Sequence, residues 1–262
     1  MLTTAIKLAD ADWSLWLEEL SRQEDIDGFE CDAGLFLNPD FRDAVQRYGL
    51  NCHHLRELLP SDATAAFLTA DDNNALPEFY SKIFKVMRSA YQNAQTTVFS
   101  LPLRLDRLDE VPNGLNAITV FLEQLLKATI PPKYTILIPV RIPRPFPESL
   151  EEERALQLCG ALQDFQAPGS LKLALHLYPE ENILPKEADA TLRPVLPFLH
   201  TICFHYFIPA QETLFDDEQA TWAEWLRNAD FHGQVIFCPD SCPAPQLPEI
   251  LRHARHWARE YR

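Results

Sequence analysis

The strongest constraint on the fold is an alternation that runs the length of the chain. Short apolar runs, each bounded by turn residues, are followed by stretches of helical periodicity, and the pair recurs eight times. The runs predict strands at Thr4–Leu8, Ile26–Cys31, Leu50–Leu55, Thr96–Leu103, Tyr134–Ile142, Leu171–Leu177, His200–Phe207 and Gln234–Phe237. The intervening patterns predict helices at Trp13–Leu20, Asp40–Tyr48, Pro77 to about Asn93, Leu115–Ala128, Ser149–Leu162, Ala190–Leu196, Glu218–Asn228 and Leu247–Tyr261. Asp12 stands where an N-cap belongs for the first helix, and Gly49 where a C-cap belongs for the second. Residues 60–76 read as a loop. Eight strands alternating with eight helices in 262 residues predict an α/β chain folded as a single (β/α)8 TIM barrel over residues 1–262. An open doubly wound sheet usually has fewer strands and a Gly-rich first turn.

Composition narrows the functional classes. A formal net charge of -15 disfavours nucleic acid and anionic membrane surfaces as partners, since both would repel it. No stretch has the length of a membrane span, and MLTTAIKLADADWS lacks the long apolar region of a secretory signal. The six cysteines (31, 52, 159, 203, 238 and 242) show neither CxxC redox nor zinc-ribbon spacing, because three residues separate Cys238 from Cys242. A reduced, cytoplasmic protein is the expectation. With only 7 glycines, the chain contains no GxGxxG or GxxxxGKS phosphate loop. No local motif of a Ser-His-Asp or Cys-His nucleophile site is present either.

Several segments, in this order, resemble the xylose isomerase-like TIM barrels, the sugar-phosphate isomerase/epimerase and endonuclease IV superfamily. Asp27-Gly28-Phe29-Glu30 resembles that family's second strand. Phe41–Leu50 followed by Asn51-Cys52-His53-His54-Leu55 resembles its next helix, turn and third strand. The long helix before TTVFSLPL, VRIP at 140–143 and FHGQVIFC at 231–238 resemble the approaches to its fourth, fifth and eighth strands. The resemblance implies a sugar isomerase/epimerase-like activity and a divalent metal held by Glu, Asp, His and Glu from strands five to eight. Carried over by position, these four fall on Val140, His176, His205 and Cys238, so only His205 matches. The family's Asp three residues after its histidine falls on Ile208, and its third-strand His falls on Arg56. Three carboxylates are missing, and one imidazole does not replace them for a hard cation.

The candidate site residues follow from strand ends, where barrels of this class build their sites. His176, at the end of the apolar run in LKLALHLYPEE, joins His205 and Cys238 as ends of three successive predicted strands. Two imidazoles and a thiolate would suit Zn²⁺ with a water in the fourth position; two capping histidines and a core cysteine are the alternative. Glu30, His205 and His176 are the candidates for proton transfer. Arg56, Arg104, Arg141 and Asp240 are candidates for binding a polar substrate, with arginines suited to carboxylate or phosphate; equally, they could form structural ion pairs. His53 and His54 point to opposite faces of a strand and cannot share a metal. Acids at Asp71-Asp72 and Asp216-Asp217-Glu218 read as solvated loops or helix N-termini. The basic RHARHWAREYR at 252–262 reads as one amphipathic terminal helix. The expected function is a divergent sugar-phosphate isomerase/epimerase-like barrel that binds or acts on a small polar, carbohydrate-like ligand at the C-terminal mouth. A non-catalytic binding or scaffold barrel is the alternative.

Overall fold

Two largely apolar segments of seven and nine residues, YTILIPV and GSLKLALHL, form the longest strand pair among the described residues, in register from Tyr134↔Gly169 to Val140↔Leu175. The computed structural model describes residues 3–8, 12–58, 76–103, 114–141, 150–162, 166–178, 184–205, 212–239 and 247–261. In chain order the elements are β1 (Thr3–Lys7), α1 (Trp13–Leu20), β2 (Gly28–Asp32), α2 (Ala33–Phe36), α3 (Pro39–Tyr48), β3 (Cys52–Arg56), α4 (Leu76–Ala94) and β4 (Val98–Ser100). Then come α5 (Gly114–Leu126), β5 (Tyr134–Val140), α6 (Leu150–Leu162), β6 (Gly169–Leu177), α7 (Pro185–Val195), β7 (Leu199–His205), α8 (Glu212–Asn228), β8 (Gln234–Cys238) and α9 (Leu247–Tyr261). Each strand pairs in parallel with its successor, and β8 pairs with β1, closing the barrel. The alternation therefore yields the expected (β/α)8 architecture. No described helix is long and apolar enough to cross a membrane.

Differences from the expected boundaries have local causes. β4 is only three residues long because Pro102 lacks an N–H and cannot extend the ladder. Thr96 meanwhile turns its hydroxyl to the carbonyl of Cys52 at 2.9 Å. α7 starts at Pro185, five residues before the predicted start, because a proline at the first helical position is pre-set for the turn. α8 starts at Glu212, so Asp216, Asp217 and Glu218 lie inside a helix rather than at its N-terminus. Asp12 does not cap α1 through its side chain: it is left-handed (φ 61°), and its carbonyl accepts from Leu15 and Trp16. Gly49 ends α3 in the left-handed conformation (φ 64°), as its position predicts.

Side chains sort into two layers by the period of two along each strand. Large ones such as Ile6, Phe29, Leu55, Phe99 and Phe237 face the helices and make the main core. Inside the barrel the apolar filling mixes small and branched residues: Ala5, Cys203, Ile236 and Cys238 form one cluster, and Val98, Leu137 and Ala174 another. α9 is seated by Trp257, whose ring lies 5.6 Å from Phe204 and 6.0 Å from Phe237. Its cations Arg255 and Arg259 pair with Asp25 at 3.5 and 2.6 Å, which gives this basic segment a structural role.

β2 and β3 approach so closely at Gly28 that any side chain is excluded. A Cβ there would lie 2.2 Å from the carbonyl oxygen of Asn51 and 2.5 Å from the ring of His53. That carbonyl accepts the Phe29 N–H at 3.0 Å, and His53 Nε2 contacts the Asp27 carbonyl at 2.9 Å, so neither neighbour can yield freely. Gly28→Ala should therefore lower stability by about 1–3 kcal/mol in urea unfolding. An unchanged midpoint would mean that β3 shifts at no cost.

Candidate active site at the C-terminal mouth of the barrel

The same period of two that buries Ala5 inside the barrel carries Lys7 inward, one pleat nearer the C-terminal end. Glu30 and Asp32 on β2, His54 and Arg56 on β3, His176 on β6, His205 on β7 and Cys238 on β8 follow suit. Register then sets neighbours: Lys7 beside Glu30, Asp32 beside Arg56, and His205 beside Cys238. The mouth is thus a polar layer laid over apolar residues.

One half of this layer is a charge cluster. Glu30 has no exposed surface, with its Oε2 2.5 Å from His54 Nδ1 and its Oε1 accepting from Arg56 Nη1 at 3.2 Å. Arg56 Nε also lies 4.0 Å from Asp32 Oδ1, and the arginine side chain is 16% exposed. Burial by itself raises the Glu30 pKa, but the charges of His54 and Arg56 outweigh it and hold the carboxyl far below the usual range. Lys7 behaves likewise: burial and Arg56 push its pKa down, and Asp32, Cys238 and Glu30 together bring it above its ordinary value.

The other half is an aromatic column. His176 Nδ1 and His205 Nε2 share a hydrogen bond of 2.7 Å, and both rings are buried. Tyr178 stacks on His205 at 4.0 Å with 17° between planes, and the Arg141 guanidinium carbon stands 3.7 Å above the Tyr178 ring. Burial first, and Arg56 second, push the His176 pKa well below its usual value, so this imidazole is unprotonated at neutral pH.

The structure thus brings Glu30, Arg56, His176, His205, Cys238 and Arg141 to one end of the barrel, while Arg104, Asp240 and Ile208 lie outside the described residues. Val140 packs in the layer facing the helices, so the fifth strand offers no ligand at that position. Lys7, Asp32 and Tyr178 were not singled out from the sequence, although each lies two residues beyond an inward-facing one. His54, left unassigned between two faces, is the inward member of its pair; His53 points away to Asp27. A groove of about 550 Å³ lies elsewhere: residues of α7 and α8 line it, with Asp189, Arg193 and Trp225 among them.

These side chains do not fit a divalent metal. The two described carboxylates of the mouth belong to β2 and are taken up with Arg56 and His54. The two histidines spend a nitrogen each on one another. Among the described residues no group of three or more His, Cys, Asp or Glu side chains is arranged to hold a metal ion.

Two histidines give the fold a pH signature. His176 is held unprotonated, and burial at the other end of β7 is the main cause that brings the His200 pKa down to about 4. The unfolded chain takes up these protons near pH 6.5, so their contribution is complete above that value. Stability should fall as pH drops from about 6.5 towards 4, above the window of ordinary carboxylates. Urea midpoints measured across that range should show the fall, and His200→Gln should make it shallower, leaving the share of His176. Identical profiles for the two proteins would refute the assignment.

No family model matches the chain, and no curated protein sequence matches it. Solved structures do. D-psicose 3-epimerase from Clostridium cellulolyticum H10, solved with D-tagatose, superposes with a TM-score of 0.69 at 10% identity, covering 99% of both chains. A xylose isomerase domain protein from Alicyclobacillus acidocaldarius gives 0.68 at 10% identity over 100% of this chain and 98% of its own. 3-keto-D-glucoside 4-epimerase from E. coli gives 0.67 at 14% identity over 98% of this chain and 100% of its own. Closed parallel barrel, element order and full-length superposition agree: this chain has the fold of the xylose isomerase-like TIM barrels.

Proposed function

We propose that the protein is a divergent sugar isomerase/epimerase-like barrel that binds and acts on a small polar, carbohydrate-like ligand at its C-terminal mouth. The observation that carries this reading is the His176–His205 pair, buried at the strand ends and bonded at 2.7 Å. Epimerisation or isomerisation beside a carbonyl needs a base that removes a carbon-bound proton and a group that returns it. A histidine that stays unprotonated at neutral pH can accept that proton, and its hydrogen-bonded partner can share the charge it acquires. The enediolate left on the substrate needs a cation close by, and Arg56 supplies one without a change of protonation state. Glu30 serves here as the buried charge that holds Arg56 and His54 in place, since each of its oxygens is engaged by one of them. The sugar-directed names of the structural neighbours support the substrate class.

Exchange of substrate carbon-bound protons in D₂O, followed by ¹H NMR over a panel of ketoses and aldoses, tests this directly. At least one sugar should exchange, and His205→Asn should slow that exchange by about 100-fold or more while the protein stays folded. A panel with neither exchange nor a thermal shift would leave the binding or scaffold reading in its place.

A further inference from the structure

Arg141 is the first residue beyond β5, exposed at the rim, and its guanidinium carbon stands 3.7 Å above the Tyr178 ring. At that separation the cation is in contact with the ring face. A guanidinium seated on a ring keeps N–H donors at its edge for a ligand. Tyr178 cannot easily swing away, because its other face stacks on His205. The rim arginine is thus seated on a stack of two rings, the lower of which is hydrogen-bonded to His176.

The chain has 38 acidic residues against 23 Lys and Arg, and most of its described arginine contacts are with carboxylates. Arg141 pairs with no carboxylate among the described residues. The carboxylates deeper in the mouth, Glu30 and Asp32, are compensated by His54, Arg56 and Lys7. They therefore add little repulsion toward an incoming anion. The mouth combines a compensated floor with a ring-seated guanidinium at its edge.

Building on the carbohydrate reading above, we propose that the ligand is an anionic carbohydrate whose carboxylate or phosphate is received edge-on by Arg141. Two parallel N–H···O bonds from one guanidinium suit either group. The specificity of the site then lies in a residue of the rim, separate from the histidine pair that moves protons.

Calorimetric titration of the full chain with matched compounds tests this: glucose, glucuronate and glucose 6-phosphate, with the galactose equivalents, and fructose with fructose 6-phosphate. One charged member should bind at least about tenfold tighter than its neutral parent, and Arg141→Gln should erase that margin and leave the neutral sugar unchanged. Arg141→Lys should restore only part of it, because an ammonium cannot make the paired bonds. Whether the uronates or the phosphates show the margin identifies the anionic group. A neutral sugar that binds as tightly as its charged relatives, or a margin that survives in Arg141→Gln, overturns the proposal but leaves the carbohydrate reading standing. Absence of binding by every compound overturns both. Arg141 is exposed and its described partner is the Tyr178 ring, so the variant's thermal transition should lie close to the parent's.

Discussion

A carboxylate with no exposed surface dictates much of how this barrel is filled. Burying the Glu30 charge alone would be prohibitive, so the side chains around it must compensate. His54 and Arg56 on the neighbouring strand do so, and Lys7 and Asp32 extend the cluster to β1 and back to β2. Removing one partner from such a cluster generally costs about 3–5 kcal/mol, since the other charge is left stranded. The cluster therefore ties the first three strands together at the end where ligands enter.

Room for these groups comes from the small residues beneath them. Ala5, Ala174, Cys203 and Cys238 fill little of the barrel's interior, and share it with the branched Val98, Leu137 and Ile236. Stability is supplied instead by the outer shell, where large aliphatic and aromatic side chains pack between strands and helices. Packing and chemistry are thereby divided between the two faces of the same strands. Aromatic contacts such as Trp257 against Phe204 and Phe237 belong wholly to the first task.

Sharing a fold with sugar epimerases does not bring their chemistry with it, because function resides in the site. In this chain the positions that the resemblance assigns to metal ligands hold a core valine, a histidine pair and a cysteine. The positive charge at the described part of the mouth is borne by Lys7, Arg56 and Arg141. Guanidinium and ammonium groups can stabilise an oxyanion much as a metal would, with directed donors in place of coordination bonds. The proposed chemistry follows from that substitution.

The order and kind of the elements were legible in the sequence because periodicity depends only on which residues must be hidden. Eight apolar runs with eight helical patterns leave few arrangements besides a closed barrel. Strand ends were less legible, as at β4, where a single proline stops the ladder. The site was half visible: His176, His205, Glu30, Arg56 and Arg141 stand at strand ends, which chain position alone identifies. Pairing was not visible, since it depends on register between strands distant in sequence. Only the tertiary structure decided that His176 bonds to His205, that Glu30 is spent on His54 and Arg56, and that Arg141 lies on Tyr178. Sequence by itself determined which side chains could reach the mouth; barrel closure and register determined which of them meet, because contacts a few ångströms long are set by how strands align.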